Sequence, residues 1–321
     1  MRQFAYVPRA FMRRQPPLLF PGAHVALVSP AGPLAGEEQL ARAIANTRLL
    51  GWEPMVGENA MARRRYLAGE DAERVGDLNR AIRDPEINGI WCLRGGYGAM
   101  RLLDFVDYES MRRNPKVLLG YSDITALHAA IGERCDIITY HGPTARGALT
   151  PFTRDSLERA VVVGGDSCGL AGDAVTLYAG SADGYLAGGN LALIAALVGT
   201  PYAPSFRDAI VILEDVGERV YRIDRMLQQL KLSGTLDACA ALVFGAFTER
   251  GGDDDNCDGA LQEVFAAVAD WLGRPCVANF PIGHLEDQWT LPLGARAALE
   301  ADSRPPRLTI IQHRPSGFLE S

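Results

Sequence analysis

The sequence predicts an α/β protein whose first half forms a parallel sheet with helices on both faces. Between residues 24 and 142, apolar runs of four to six residues alternate with helical patterns of ten to fifteen residues. Short, continuous apolar runs are typical of strands that are buried on both faces, and their alternation with helices favours parallel pairing. The second half mixes strands and helices less regularly, which predicts a smaller mixed sheet or barrel.

The elements follow from this hydrophobic patterning in chain order. Strands of the first half are predicted at His24–Ser29, Glu53–Val56, Gly89–Leu93, Val117–Gly120 and Asp136–Tyr140. Helices between them are predicted at Glu37–Leu50, at Asp71–Ile82, from Ala99 and from Asp123. In the second half, helices are predicted at Leu191–Val198, Val220–Leu232 and Ala260–Leu272. The remaining strands are predicted at Ala209–Glu214, Ala241–Phe247, Pro275–Ala278, Ala295–Glu300 and Leu308–Gln312.

A change of composition separates the two halves. Residues 142–188 are rich in glycine, alanine, threonine and aspartate and contain few long apolar runs. Such a composition indicates a connection rather than a core element. We therefore expect an N-terminal domain over residues 1–160, a linker over 161–185 and a C-terminal domain over 186–321.

Composition and charge exclude several classes of protein. The 321 residues are 48% hydrophobic and 22% charged, values that are ordinary for a globular protein with a full core. The net charge of −7 argues against a nucleic-acid partner, which requires a basic surface. No apolar run reaches the roughly 18 residues of a membrane span, and prolines interrupt the first twenty residues, where an export signal would lie. The six scattered cysteines include no Cys-x-x-Cys pair, so we expect a cytoplasmic protein without disulfides.

The corner between the Val117–Gly120 strand and the next helix contains the most informative residue, Ser122. A serine on such a corner presents its hydroxyl outward, and the first N–H groups of the helix are free to bind an oxyanion. Ser122 is therefore a candidate nucleophile. Serine is also among the commonest helix N-caps, so on this segment alone a capping role stays open.

A nucleophilic serine needs a histidine base and a carboxylate that orients the histidine. His24 and His313 lie in or beside predicted strands, His128 points into the fold, and His141 follows a strand end on a loop that can line a site. His284 lies on a loop rich in polar and aromatic residues, where catalytic side chains are often presented. A structural role remains the alternative for each of these histidines.

The best candidate for the carboxylate is Glu214. It stands at the exit of the buried run Ala209–Leu213, where a partly buried carboxylate can accept a hydrogen bond from an imidazole. Asp215 is its rival, and the alternative for Asp215 is to cap the following helix.

Two further segments could bind ligands. Arg94-Gly95-Gly96-Tyr97-Gly98 follows a strand and opens a helix, so its backbone can approach an anion. Its spacing does not fit a dinucleotide or phosphate loop, and it is better suited to an oxyanion or a substrate carboxylate.

The acidic turn at residues 253–259 lacks the terminal glutamate of a calcium loop, because Phe265 occupies that position. We therefore expect no metal and no cofactor.

Taken in order, the motifs resemble those of the muramoyl-tetrapeptide carboxypeptidase (LD-carboxypeptidase) family of serine peptidases, which also includes microcin-immunity peptidases. The resemblance covers residues 25–295. The matching segments are Val28-Ser29-Pro30, Arg94–Gly98, Gly120–Thr125, Tyr140–Pro143, Gly188–Leu191, Leu213–Glu218, Tyr221–Arg225, Gly283-His284 and Pro292–Gly294.

The resemblance implies a catalytic triad of Ser122, Glu214 and His284, which favours Glu214 over Asp215. It implies a flavodoxin-like N-terminal domain that carries the serine and a smaller C-terminal domain that carries the other two residues. The implied substrate is a murein-derived tetrapeptide that loses its terminal D-alanine, and the implied assembly is a homodimer. Backbone N–H groups of Gly96 and Asp123 are expected to bind the oxyanion, within a substrate-binding loop that also contains Gly95.

The residues that bind the D-alanine carboxylate and the substrate itself stay open. Arg94 and Tyr97 are candidates for binding the carboxylate only through their position beside this loop. A microcin-type peptidase would cleave peptide–nucleotide conjugates, and Trp289 beside His284 could then stack on the base. A non-catalytic binding protein with the same cleft and a zinc carboxypeptidase are also possible functions.

Overall fold

The first sheet is made largely by the first half of the chain. A computed structural model of the protein describes residues 13–249 and 260–311. The strands of the first half are β1 (His24–Val28), β2 (Glu53–Val56), β3 (Gly89–Cys92), β4 (Val117–Gly120) and β5 (Thr139–His141). They are all parallel and lie in the order β2-β1-β3-β4-β5, which is the flavodoxin-like order. The predicted α/β class with a parallel first sheet is confirmed.

Helices cover both faces of this sheet because successive strand residues point to opposite sides. The helices are α1 (Glu37–Leu49), α2 (Asp71–Arg83), α3 (Tyr108–Arg113), α4 (Thr125–Cys135) and α5 (Pro151–Glu158). On β1, Leu27 packs in the same core as Ala43 of α1. The next residue, Val28, packs in the opposite core with Leu78 of α2. The helix predicted from Ala99 is a 3-10 helix, Ala99–Phe105.

The second sheet is mixed and contains seven strands of the described residues. The strands of this half are β6 (Val175–Tyr178), β7 (Ser181–Asn190), β8 (Ala209–Glu218), β9 (Ala241–Glu249), β10 (Cys276–Ala278), β11 (Leu291–Leu293), β12 (Arg296–Glu300) and β13 (Arg307–Ile310). All but β11 pair in the order β13-β12-β7-β8-β9-β10-β6. The helices of this half are α6 (Leu191–Leu197), α7 (Val220–Leu232) and α8 (Ala260–Leu272).

The second sheet is strongly curled. Strands β6 and β7 are four positions apart in the sheet, a distance of about 19 Å if the sheet were flat. Yet Tyr178 at the end of β6 and Ser181 at the start of β7 are joined by a connection that spans at most about 11 Å. The sheet must therefore bend round to bring these ends together, in line with the barrel-like second domain that we predicted.

The chain crosses back to the first sheet near its end. Strand β11 pairs antiparallel with β5, with Leu291 opposite His141, so the first sheet includes a strand from the segment 186–321 expected to form the C-terminal domain. The expected linker, residues 161–185, contains β6 and the start of β7. Neither β6, β7 nor β11 follows from the sequence pattern, because β7 is rich in glycine and alanine and β11 is only three residues long.

The two sheets meet where α4 begins and β7 ends. The backbone N–H of Asn190 donates to Thr125 Oγ1 at 3.0 Å, and a Cβ on Gly189 would lie 2.6 Å from the same oxygen. Thr125 is the third residue after Ser122, while Asn190 is in register with Glu214 on the neighbouring strand. This contact therefore fixes the corner at Ser122 relative to Glu214.

Two buried histidines lie beneath that corner. The His128 Nε2–H donates to the carbonyl of Gly120 at 2.8 Å, and the His141 ring lies 6.4 Å away, centroid to centroid. Both ring nitrogens of His141 lack a hydrogen-bond partner among residues 13–249 and 260–311. Burial lowers the pKa of His128 to about 4 and that of His141 to about 3. His141 is thus a buried strand residue, and its predicted place on a site-lining loop is wrong.

The close approach at Gly189 predicts a loss of stability on adding a methyl group. We expect Gly189→Ala to lower the free energy of unfolding by on the order of 3 kcal/mol, because the Cβ meets Thr125 and φ is 135°. Gly199→Ala is the matched control, since Gly199 has φ 84° with nothing within 4 Å and should lose only about 1 kcal/mol. Urea unfolding measures both, and equal losses would contradict the packing argument.

The buried histidines predict that stability falls on acidification. Unfolded histidine titrates near pH ~6.5, so between that pH and the lower folded pKa values the unfolded chain binds more protons. Each histidine should then cost about 1.4 kcal/mol of unfolding free energy per pH unit in this window. Urea unfolding at pH 7 and pH 5 tests this, and His141→Asn should reduce the difference by about 2 kcal/mol. An unchanged pH dependence in that variant would refute the assignment.

Candidate active site

Ser122 occupies the corner that the sequence predicts. Strand β4 ends at Gly120, Tyr121 is extended, and Ser122 has φ 65°. A non-glycine residue in this left-handed region is strained, and such strain is typical of an exposed nucleophile on a strand-to-helix turn. Neither the short 3-10 helix Ser122–Ile124 nor α4 has a side-chain N-cap. The alternative role of Ser122 as a helix cap is therefore wrong.

The segment Arg94–Gly98 after β3, called the glycine loop below, lies directly against Ser122. A Cβ on Gly95 would be 2.8 Å from Ser122 Cβ and 3.0 Å from its Oγ, so only glycine allows this approach. The Gly95 carbonyl accepts the Gly32 N–H at 2.9 Å, and Gly96 has φ 108°. These contacts hold the backbone at Gly96 beside the serine.

Two buried charged side chains clamp the end of this loop. Arg74 Nη1 donates to the carbonyl of Gly98 at 3.0 Å, and the N–H of Ala99 donates to Asp123 Oδ2 at 2.7 Å. Both bonds are made to the single peptide group between Gly98 and Ala99. Asp123 follows Ser122 directly, so the serine corner and the glycine loop are bound to the same peptide group. Burial raises the pKa of Asp123, and the charge of Arg74 opposes that shift.

The sequence prediction included Asp123 only for its backbone N–H and missed Arg74 altogether. A signal was present in the helical pattern. Arg74 stands four residues before Leu78 and eight before Ile82, on the buried stripe of α2. Because an unpaired charge is costly in a buried position, an arginine there indicates that it has specific partners.

Glu214 and His284 form a hydrogen-bonded pair. The His284 Nδ1–H donates to Glu214 Oε2 at 2.7 Å, and Glu214 is fully buried. Strand β8 continues to Glu218, so Glu214 is inside the strand rather than at its exit. A side chain at Gly283 would collide with the Glu214 carboxylate, and one at Gly245 would collide with Ile282 and crowd Glu214 Cβ. Burial raises the pKa of Glu214, and the hydrogen bond from His284 opposes that shift.

Asp215 has a different role from its neighbour. Its carboxylate accepts hydrogen bonds from Asn190 Nδ2, from the Ala192 N–H at the start of α6, and from the Val216 N–H. The alternative that Asp215 caps the following helix, α7, is wrong, because Asp215 contacts the start of α6 instead. With these donors satisfied, Asp215 acts as a structural anchor between β7, β8 and α6.

Tyr121 brings the serine corner and the histidine together. Its ring centroid lies 4.7 Å from that of His284, and Tyr121 directly precedes Ser122. No hydrogen bond joins Ser122 Oγ to His284 within the described part of the chain, and such contacts often tighten only when substrate binds. The pair can orient an imidazole so that its Nε2 accepts a proton from a hydroxyl.

The other residues suggested for ligand binding are Arg94, Tyr97 and Trp289. Arg94 Nη1 donates to the Pro33 carbonyl at 2.6 Å, and Tyr97 is exposed with its ring 5.5 Å from Tyr66. Trp289 is buried, with 1% of its surface exposed, and packs against Phe280. The suggestion that Trp289 stacks on a base is therefore wrong.

Several expectations concern metals, membranes and residues beyond the described ranges. His313, Cys257 and the acidic turn at 253–259 lie outside the described residues. Among those described, no group of three or more His, Cys, Asp or Glu side chains could hold a metal ion. No helix in the same ranges is long and apolar enough to cross a bilayer.

Comparison with known proteins places this chain in a family. Residues 25–142 match the LD-carboxypeptidase N-terminal domain, and residues 183–299 match the LD-carboxypeptidase C-terminal domain. The murein tetrapeptide carboxypeptidase of Pseudomonas aeruginosa is 34% identical over 292 residues, which cover 87% of this chain and 93% of the relative.

Solved structures of the same architecture agree. The MccF-like protein of Bacillus anthracis matches with a TM-score of 0.83 at 26% identity, covering 94% of this chain and 100% of that one. The muramoyltetrapeptide carboxypeptidase of Oxalobacter formigenes matches with a TM-score of 0.78 at 28% identity, covering 92% and 100%. The fold, the matched domains and the relatives together show that the chain is a peptidase of the LD-carboxypeptidase family.

Proposed function

We propose that this peptidase is a serine carboxypeptidase that removes the terminal D-alanine of murein tetrapeptides by hydrolysing an L,D-peptide bond. The observation that carries the proposal is the buried Glu214–His284 pair, with its 2.7 Å hydrogen bond, beside the strained Ser122. Relatives named for this activity support the substrate class. The reaction needs no cofactor, because these three side chains supply nucleophile, base and orienting carboxylate.

In the first half of the reaction, Ser122 Oγ attacks the carbonyl carbon of the scissile bond while His284 Nε2 takes the hydroxyl proton. Glu214 keeps the imidazole in the tautomer with a proton on Nδ1 and stabilises the imidazolium. The tetrahedral intermediate then collapses, the C–N bond breaks, and His284 returns the proton to the amine of the departing D-alanine. An ester between Ser122 and the tripeptide remains.

Water completes the reaction by the same steps. His284 takes a proton from a water molecule as its oxygen attacks the ester carbonyl, and the proton then passes to Ser122 Oγ as the tripeptide leaves. In both halves the negative oxygen is bound by the backbone N–H groups of Gly96 and Asp123. One such donor is typically worth 10²- to 10³-fold in rate, which gives a function to the clamp on the glycine loop.

The compartment and assembly are part of the same proposal. All five described cysteines are buried and unpaired, which supports a reducing, cytoplasmic compartment. The edge strand β2 exposes Met55 and Val56, an apolar edge that a second copy could cover. We expect sedimentation equilibrium to give twice the chain mass of 34.7 kDa, and a single species of the chain mass would contradict the homodimer.

The proposed reaction has two products that can be measured directly. Purified protein incubated with murein tetrapeptide should release D-alanine and tripeptide, measured by mass spectrometry, and a strong chelator should leave the rate unchanged. Ser122→Ala should abolish release. Glu214→Gln should lower kcat by on the order of 10⁴ because the imidazole loses its tautomer and its counter-charge.

Asp215→Asn is the matched control for Glu214→Gln. The amide keeps one acceptor oxygen but turns an NH2 group towards an N–H donor. The variant should therefore lose stability but keep most of the activity, because Asp215 does not contact His284 through a hydrogen bond. Release of D-alanine by Ser122→Ala would refute the triad, and chelator inhibition would favour a zinc carboxypeptidase. Cleavage of a peptide–nucleotide conjugate with no cleavage of tetrapeptide would assign the microcin-type activity instead.

A further inference from the structure

The loop that follows β5 is held rigidly beside the glycine loop. Asn46 Nδ2 donates to the carbonyl groups of both Ala145 and Gly147 at 2.8 Å, which fixes the backbone on either side of Arg146. The Ala145 N–H donates to the Cys92 carbonyl at 3.0 Å. Cys92 ends β3 two residues before the first residue of the glycine loop, so Arg146 is anchored at the carboxyl end of β3, where ligands of such sheets bind.

Arg146 has a hydrogen-bonding group without a partner. Its side chain is half-buried, and its Nε is buried with no hydrogen-bond partner in the ranges 13–249 and 260–311. A buried donor left in this state costs free energy. The backbone on either side of Arg146 is fixed, and the terminal Nη groups of its half-buried side chain can bind a carboxylate through two parallel hydrogen bonds.

Arg94 adds a second positive charge two residues after Cys92, whose carbonyl anchors the residue before Arg146. Its Nη1 is held by the Pro33 carbonyl, and its Nε lies 3.7 Å from where a Cβ on Gly32 would be. Burial lowers the pKa of Arg146, and the charge of Arg94 lowers it further. None of the ion pairs between described residues involves either arginine.

Two arginines that follow the carboxyl ends of β3 and β5, with no carboxylate of the described residues paired to either, indicate an anionic ligand. The chain as a whole is acidic, with a net charge of −7, so this pair is not part of a general basic surface. The pair lies beside the loop that contacts Ser122. In a peptide whose last bond is cleaved, only three covalent bonds separate the scissile carbonyl carbon from the terminal carboxylate carbon.

We infer that Arg146, together with Arg94, binds the terminal carboxylate of the peptide substrate and thereby restricts the enzyme to removing one C-terminal residue. This inference rests on the proposed function and names the side chains that give it its carboxypeptidase specificity. Arg146 is the specificity-determining residue, because its bidentate fork distinguishes a carboxylate from an amide, which would present an N–H to it.

The test compares a tetrapeptide that has a free terminal carboxylate with the same peptide as its terminal amide. Wild-type protein should hydrolyse the free acid with a kcat/KM higher by on the order of 100-fold. Arg146→Gln should lose that preference mainly through KM, and Arg146→Lys should keep an intermediate preference because charge remains without the fork. Arg42→Gln is the control, since Arg42 is an exposed arginine whose charge also acts on Arg146, and it should change KM less than about threefold. Thermal unfolding verifies that each variant is folded.

A binding measurement separates this inference from the proposed activity. In the Ser122→Ala background, calorimetric titration should show tighter binding of the free acid than of the amide, and adding Arg146→Gln should remove the difference. Equal binding of acid and amide by Ser122→Ala, or an unchanged preference in Arg146→Gln, would overturn the role of Arg146. If wild-type protein binds the acid preferentially but hydrolyses neither peptide, the proposed reaction fails and the carboxylate site stands.

Discussion

The contact between Thr125 and the end of β7 is the constraint on which the site depends. The nucleophile candidate belongs to the first sheet, whereas the carboxylate belongs to the second. One hydrophobic cluster contains residues of both sheets, and two further clusters cover their other faces. Catalytic groups must be positioned to within about 0.5 Å. The Asn190–Thr125 hydrogen bond and the close approach at Gly189 supply such a fixed junction. Strand β11 adds a second connection, because it carries the chain from the His284 loop back into the first sheet.

Burial of Glu214 explains several of the residues around it. A carboxylate with no exposed surface is costly unless it is paired and hydrogen-bonded, and here one oxygen accepts from His284. At Gly283 the carboxylate itself fills the space that a side chain would occupy, and at Gly245 that space is filled by Ile282. The same burial makes the interaction with an imidazolium strong, since little solvent screens it. The requirement for glycine at position 283 is thus a consequence of one buried carboxylate.

The sequence predicted the elements of the first sheet well because its strands are short, fully apolar and separated by amphipathic helices. Helices α7 and α8 were also predicted with their full bounds. The prediction failed at β7. Its glycines, which allow close packing against α4 and β8, made the start of this strand resemble a linker. Motifs in family order indicated Ser122, Glu214 and His284. Arg74 was missed although its place on the buried stripe of α2 was a signal, whereas the contacts around Arg146 are long-range and no local pattern reveals them. Trp289 was misjudged because neighbours in sequence, such as His284, need not share an exposed surface.

The distribution of charge across the site matches the polarity of a peptide terminus. A buried negative charge at Glu214 stands behind the imidazole, where positive charge develops during the reaction. Backbone N–H groups and two arginines lie on the side of the glycine loop, where the oxyanion and the terminal carboxylate would lie. Arg74 and Asp123 are buried with opposite charges on either side of one peptide group, so they can fix the loop without adding a net field of their own. In the proposed mechanism, the groups that move protons are therefore separate from those that bind anions, and the clamped peptide group keeps the serine corner in register with the glycine loop.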